Sequence, residues 1–108
     1  MEITVMPLSP SEASARVRDG SLMLIDVRPA EERALAAVPV AYEVLDDGWL
    51  DELMALPRDS ALAFLCHHGV RSAQAAAHFA ARGFSATHNV TGGIDAWSEQ
   101  LDPAVPRY

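Results

Sequence analysis

The segment Ala61–Cys66 constrains the fold more than any other feature, because it is a run of apolar residues with no polar interruption. Leu22–Val27 is a second such run, broken only by Asp26 near its end. Continuous apolar runs of this length are typical of strands that are buried on both faces of a parallel sheet. Because helices cover both faces of such sheets, the two runs predict an α/β fold.

Helical and strand-like patterns alternate along the whole chain. Ser9, Pro10 and Glu12 form a capping pattern that predicts a helix start, and Gly20 is a natural stop for that helix. The patterns predict strands over 3–6, 22–27, 41–45, 61–66 and 87–90, and helices over 10–19, 30–37, 48–56, 71–82 and 94–101. A chain of 108 residues has the length of one domain. We therefore predict a single α/β domain over residues 1–108, with an extended tail at 102–108.

The charge balance excludes whole classes of function. The formal net charge is −7, Lys is absent, and the negative excess lies in residues 1–60. A nucleic-acid-binding surface needs a basic stripe against the phosphates, so no nucleic-acid partner is predicted. No apolar run approaches the ~20 residues of a membrane helix, and no signal peptide is visible, so no membrane association is predicted. A single Cys cannot form a disulfide within the chain, and a cytoplasmic location is the expectation.

Cys66 is placed where α/β proteins bind ligands. It stands at the carboxyl end of a predicted strand, and a helix is predicted to begin shortly afterwards at Arg71. The backbone N–H groups of the intervening loop and the positive end of the helix dipole both stabilise a thiolate. Such surroundings lower a cysteine pKa from ~8.5 to ~3.5–7.5. We predict that Cys66 is an activated nucleophile; the alternative is an inert apolar residue in the core.

The residues that follow Cys66 form the predicted substrate-binding set, which is His67, His68, Gly69, Val70, Arg71 and Ser72. The N–H groups of residues 67–72 are expected to face a bound anion, and the guanidinium of Arg71 is expected to contact the oxyanion of a substrate. The alternative for Arg71 is a structural pair with a nearby acid. Both His side chains are expected to point outward and to tune the mouth of the site. Two adjacent His residues and one Cys are not a recognisable ligand set, so no metal is predicted.

Three charged residues around the end of the second predicted strand are expected to be scaffold. Arg28 and Glu32 are four residues apart, and this spacing allows an ion pair. Asp26 lies at the same predicted sheet edge as Cys66, so we expect it to hydrogen-bond the backbone of the cysteine loop. A direct catalytic role is not predicted for any of the three.

Two further features are expected to serve packing rather than chemistry. Gly92 and Gly93 predict a turn that allows close approach of the backbone, because a lone Gly pair is a weak signal for a phosphate site. Trp49 and Trp97 are predicted to anchor the core rather than to stack on a ligand.

Three segments of the chain read LIDVRPAEE, CHHGVRSAQAAAHFAARGF and NVTGGIDAW. They resemble the rhodanese family of sulfurtransferases, and the resemblance covers Leu22–Trp97. The resemblance implies a rhodanese-like fold, with about five strands in a mostly parallel sheet between helices. It also implies that Cys66 carries a persulfide during turnover, while loop amides and Arg71 hold the charged donor. The chain departs from the family at Ala36–Ala41, where a G-H-I-P-G-A segment is common and only Pro39 and Ala41 clearly match.

The length of the cysteine loop separates two chemistries. Cys66 and Arg71 are spaced as C-x-x-x-x-R, whereas the related tyrosine and dual-specificity phosphatases carry one residue more. By resemblance, the shorter ring of N–H groups suits a single bound sulfur, and the longer ring suits a tetrahedral phosphate or arsenate. A thiol phosphatase or arsenate reductase is therefore one alternative function. A non-catalytic binding or sulfur-sensing module is another, disfavoured because both the Cys and the Arg are present.

The expected reaction is a double displacement through Cys66. The thiolate attacks the outer sulfur of a donor such as thiosulfate, and an acceptor then takes that sulfur from the persulfide. Cyanide, a small thiol or a protein Cys could act as the acceptor, and a protein sulfur carrier is a further candidate partner. The reaction needs no cofactor, and none is predicted.

Overall fold

The computed structural model describes residues 4–108, which form five parallel strands and five helices in alternation. The strands are β1 (Met6–Leu8), β2 (Met23–Asp26), β3 (Glu43–Val44), β4 (Ala61–Leu65) and β5 (Ala86–Val90). The helices are α1 (Pro10–Arg18), α2 (Ala30–Leu35), α3 (Asp47–Met54), α4 (Val70–Ala81) and α5 (Gly93–Gln100). The strand order is β1-β5-β4-β2-β3, which confirms the predicted α/β fold.

The central strand β4 separates two halves of the core. Ala63 and Leu65 pack in one apolar cluster with Trp97 of α5, whereas Leu62 and Phe64 pack in another cluster with α4. Successive side chains of a strand point to opposite faces, so the two clusters lie on the two sides of the sheet. Each fully buried Leu or Phe contributes ~1.5–3 kcal/mol. This double burial explains why the segment contains no polar residue, and it fixes the position of Cys66 just beyond the strand.

Most predicted elements are present, but several boundaries differ from the predicted ones. The first strand lies at Met6–Leu8 rather than at 3–6, and Ile3 falls outside the described residues. The third strand is reduced to Glu43–Val44, because it pairs only with β2 at the sheet edge. The second helix ends at Leu35, where Ala36 adopts an extended backbone with φ −158°. These differences all affect short, peripheral elements.

The two tryptophans differ in their environment. Trp97 is fully buried as predicted, but the prediction that Trp49 anchors the core is wrong. Trp49 is 43% exposed on the short helix α3, where Leu53 is the buried apolar residue. It lines a surface groove together with Met23.

The tail predicted to be extended contains a turn. The amide of Val105 donates to the carbonyl of Asp102 at 3.1 Å, and the Val105 side chain is buried. The hydroxyl of Ser98 donates to the carbonyl of Val105 at 2.6 Å, which ties the tail to α5. The burial of Val105 provides the physical reason for the turn, and the turn carries the following residues back to the cysteine loop.

Within residues 4–108, every helix is too short or too polar to cross a membrane.

Candidate active site

The thiol of Cys66 lies at the carboxyl edge of the sheet, directly after β4 and below the start of α4. Cys66 is 1% exposed to solvent, and polar groups of the loop and of α4 contact its sulfur on one side. The amide of Gly69 donates to Sγ at 3.0 Å, and the hydroxyl of Ser72 lies 3.2 Å from Sγ. Gly69 caps α4 with a left-handed φ of 101° and offers no side-chain cap, so the first amides of the helix stay available to an anion.

These hydrogen bonds set the ionisation of the cysteine. Burial by itself raises the pKa of the Cys66 thiol, because it disfavours the charged form. The Ser72 hydroxyl, together with the amides of Ser72, Gly69 and His68, stabilises the thiolate and outweighs burial. The net pKa of Cys66 is therefore below its ordinary value, and the hydrogen bonds from neutral groups are the largest causes that lower it.

Asn89 on β5 holds the loop from the neighbouring strand. Its amide nitrogen donates to the carbonyl of Gly69 at 2.9 Å, and its Oδ1 lies 2.5 Å from the Ser72 hydroxyl. A hydroxyl has one hydrogen and two lone pairs. Ser72 therefore donates to Asn89 while it accepts from a Cys66 thiol, and it must turn its hydrogen to the sulfur when the thiol ionises. Sequence reasoning missed Asn89, whose only signal was a polar residue near the carboxyl end of a buried strand.

The Gly92-Gly93 turn fixes the other side of the loop. The amide of Ile94 donates to the carbonyl of Cys66 at 2.8 Å, and the amide of Asp95 donates to the carbonyl of His67 at 3.1 Å. A β-carbon on Gly93 would clash with the carbonyl oxygen of Cys66, so the backbone of the turn or of the loop would have to shift to accept one. The predicted close-packing turn is confirmed, and what it packs against is the cysteine loop itself.

The two histidines do not share one orientation. His68 points outward as expected, with 63% of its side chain exposed. The expectation is wrong for His67, which lies between two aromatic rings. Its centroid is 3.9 Å from that of His68 and 3.9 Å from that of Tyr108, and the Tyr108 ring is tilted by only 7°. The Nε2 atom of His67 is buried, with no hydrogen-bond partner among residues 4–108.

Arg71 is engaged by an acid in the structure. Its two terminal nitrogens donate to the two carboxylate oxygens of Glu32 at 2.7 and 2.9 Å. This contact is the structural pair considered as the alternative role for Arg71. The guanidinium holds the pKa of Glu32 at about 2, well below the usual range of a carboxyl. The pair therefore remains ionised throughout the neutral range.

The predicted ion pair between Arg28 and Glu32 is wrong. Arg28 binds Asp26 instead, with Nε 3.0 Å from Oδ1 and Nη2 2.6 Å from Oδ2, and both side chains are fully buried. Asp26 accepts from the amide of Arg28 at 2.9 Å rather than from the cysteine loop. A buried carboxylate needs a compensating charge, and the Arg28 side chain supplies it within the same turn.

The structure thus brings only part of the predicted set to the sulfur. Gly69, Ser72 and the amide of His68 face Sγ. The side chain of Val70 is directed to solvent, since the residue is 68% exposed. No group of three His, Cys, Asp or Glu side chains within the described residues has the arrangement of a metal site.

A buried, hydrogen-bonded cysteine sulfur at the edge of a parallel sheet defines a class of α/β domain with a cysteine anion-binding loop. The comparison with known families is more specific. Residues 9–100 match the model of the rhodanese-like domain, and the chain belongs to that family.

Solved structures give the same fold. The polysulfide-sulfur transferase homodimer of Wolinella succinogenes is 29% identical, with a TM-score of 0.73 over 89% of this chain and 74% of that chain. The human single-domain sulfurtransferase is 21% identical, with a TM-score of 0.72 over 90% and 98% of the two chains. A Rhodopseudomonas palustris protein described as a possible tyrosine phosphatase is 24% identical, with a TM-score of 0.70 over 96% and 85%. At such identities, the last two show the fold alone.

Proposed function

We propose that the protein is a sulfurtransferase that carries a transferable sulfur on Cys66. The observation that carries the proposal is the set of hydrogen-bond donors around Sγ, formed by the Gly69 amide and the Ser72 hydroxyl. Family membership and the similarity to a polysulfide-sulfur transferase support it. Both a thiolate and a persulfide anion gain from such donors, because charge-assisted hydrogen bonds are stronger than neutral ones.

The reaction proceeds in two displacements. The Cys66 thiolate attacks the outer sulfur of the donor, and the bond between the two donor sulfurs breaks. With thiosulfate as donor, sulfite leaves with the electron pair of that bond, and Cys66 becomes a persulfide. The acceptor then attacks the outer sulfur, and the Cys66 thiolate leaves with its electrons. The sulfur is transferred with no net gain or loss of electrons by the protein, so the cycle needs no cofactor.

The remaining loop residues are proposed to bind the substrate. The amides of residues 67–72 are proposed to surround the bound sulfur, and Arg71 is proposed to contact the anionic end of the donor. His67, whose buried Nε2 has no hydrogen-bond partner within residues 4–108, is proposed to line the site. Small thiols, cyanide or the Cys of a protein sulfur carrier are the proposed acceptors. A cytoplasmic, reducing location suits this cycle, because a free thiol persists there.

Phosphatase or arsenate reductase chemistry is less well supported. The six-residue spacing from Cys66 to Arg71 is one residue shorter than that of the phosphatase loop. A phosphatase also needs an acid to protonate the leaving alcohol. Glu32 and Asp95, two acids beside the loop, are held by Arg71 and Arg107.

The intact mass of the protein tests the proposal directly. Incubation with thiosulfate should add ~32 Da, the mass of one sulfur, and a reducing agent should remove it. The Cys66→Ser variant should show no gain, because Cys66 is the only thiol. An unchanged wild-type mass combined with hydrolysis of phosphoesters would favour a phosphatase. An unchanged mass with no turnover of either kind would favour a binding module.

A further inference from the structure

Glu32 is bound on both sides by groups that belong to different parts of the fold. Its two oxygens accept from Arg71 of α4, and Oε1 also accepts from the hydroxyl of Tyr108 at 2.6 Å. Tyr108 in turn accepts from Nη1 of Arg28 at 3.1 Å. Burial raises the pKa of Tyr108, so its hydroxyl keeps the hydrogen that it donates to Glu32. A continuous chain of hydrogen bonds therefore links the buried Arg28–Asp26 pair to Arg71.

The carboxylate of Glu32 occupies the same donors that an anionic substrate would use. A guanidinium presents a planar fork of N–H groups that matches two oxygens of a carboxylate or another oxyanion. Both terminal nitrogens of Arg71 already donate to Glu32. Arg107, at the other side of the loop, is likewise bidentate to Asp95 at 2.9 and 3.1 Å. An incoming anion thus meets two arginines whose charges are already neutralised.

We propose that Glu32, held in place by Tyr108, is a specificity-determining residue that competes with small anionic donors for Arg71. The inference rests on the proposed function. A dianion such as thiosulfate must displace Glu32 before it reaches the guanidinium. A donor whose outer sulfur is attached to a carbon-bound sulfur, and which carries no second charge, has no such competitor. The site therefore discriminates against thiosulfate and favours organic persulfides or organic polysulfides.

The expected size of the effect follows from the exposure of the pair. Arg71 and Glu32 are both partly exposed to solvent. Ion pairs of this kind are weak, and the loss of one changes an equilibrium by up to about fivefold. We expect Glu32→Gln to lower the KM for thiosulfate by about that factor while kcat changes little, because the competing charge is lost and the thiolate is untouched.

Alkylation of Cys66 tests the inference without relying on sulfur transfer. Iodoacetate is an anion and iodoacetamide is its neutral analogue, and both react with the same thiolate. The ratio of their rates cancels any change in the pKa of Cys66 and reports only how well the entrance accepts an anion. Glu31→Gln is the matched control, because Glu31 is an exposed neighbour on α2 and its replacement changes the net charge equally.

The iodoacetate-to-iodoacetamide ratio should be about fivefold higher for Glu32→Gln than for Glu31→Gln. Adding Arg71→Gln to the Glu32→Gln variant should abolish this increase in the rate ratio. Tyr108→Phe keeps the ring but loses the hydroxyl, and it should raise the ratio by a smaller amount. Equal ratios for the two Glu variants, or a lower ratio for Glu32→Gln, would overturn the inference and identify Glu32 as a support for Arg71. Failure of the proposed function is a separate result, read from the mass of the thiosulfate-treated protein.

Discussion

The inner and outer parts of the cysteine loop stabilise charge in different ways. Around Sγ, the donors are neutral, buried and fixed by the backbone of α4, by Ser72 and by Asn89. At the mouth, the polar contacts are ion pairs between side chains that solvent reaches, Arg71 with Glu32 and Arg107 with Asp95. A fixed backbone dipole such as the Gly69 amide favours an anion without reorganisation, whereas exposed ion pairs exchange partners at little cost. We infer that the inner part, around Sγ, sets the reactivity of the thiol. The outer part, at the mouth, sets which substrates are selected.

The largest expected effect comes from the Gly93 contact that supports the inner part. Gly93→Ala should lower the free energy of unfolding by about 2–4 kcal/mol, because it adds a β-carbon clash with the Cys66 carbonyl to the strain of a left-handed backbone. Gly20→Ala is the matched control. Gly20 has φ 84°, but a β-carbon added there would meet nothing within 4 Å, so only the strain of ~1–2 kcal/mol remains.

Urea unfolding followed by Trp fluorescence measures both Gly variants. Equal losses for Gly93→Ala and Gly20→Ala would show that the close approach of the turn to the loop does not contribute to stability.

The next largest effect concerns the reactivity of Cys66. Ser72→Ala removes a hydrogen bond to the thiolate, so the pKa of Cys66 should rise and the iodoacetamide rate at neutral pH should fall about tenfold. The rate-pH profile should keep its plateau at alkaline pH but shift to higher pH. Ser14→Ala is the control, since Ser14 is also buried but lies on α1. A Ser72→Ala profile that overlays the wild-type profile would contradict the assignment of the inner donors.

The sign of this pH dependence also applies to stability. The folded-state pKa of Cys66 is lower than its unfolded value, so the thiolate stabilises the fold fully only above the unfolded pKa. That contribution is lost as the pH falls through the folded pKa. Ser72→Ala should therefore reduce the gain in stability that the wild type shows on moving from neutral to alkaline pH.

The smallest expected effect comes from the exposed ion pairs at the mouth of the site. Asp95→Asn breaks the exposed pair with Arg107, and the free energy of unfolding should change by less than about 1 kcal/mol. The iodoacetamide rate should stay within about twofold of the wild-type rate, because Asp95 makes no side-chain contact with Sγ. A large loss of thiol reactivity in Asp95→Asn would show that the inner and outer parts are not separable.

Local patterns predicted much of this molecule. Apolar runs identified the buried strands, and the Ser9–Glu12 capping pattern marked the start of α1, where Ser9 accepts from the Glu12 amide at 3.1 Å. The position of Cys66 followed from the rule that ligands bind at the carboxyl edge of a parallel sheet. These features depend on residues that are close in sequence or on one strand.

Partners that are distant in sequence were not predictable. Glu32 pairs with Arg71 rather than with Arg28, because Asp26 satisfies Arg28 inside the protein and leaves Glu32 free to reach α4. Asn89 reaches the loop only because β5 lies beside β4 in the sheet. The return of Tyr108 depends on the burial of Val105 and on the turn before it. The partners of these side chains depend on how the fold packs, and the spacing of residues in the sequence does not reveal them.

The deep position of the sole sulfur limits how copies of this chain can be joined. A disulfide requires the two β-carbons to approach to ~3.8 Å, but Cys66 is 1% exposed beneath its own loop. Two folded molecules cannot be bridged through this residue unless the loop opens in both. Air oxidation of the folded protein should therefore yield no covalent dimer.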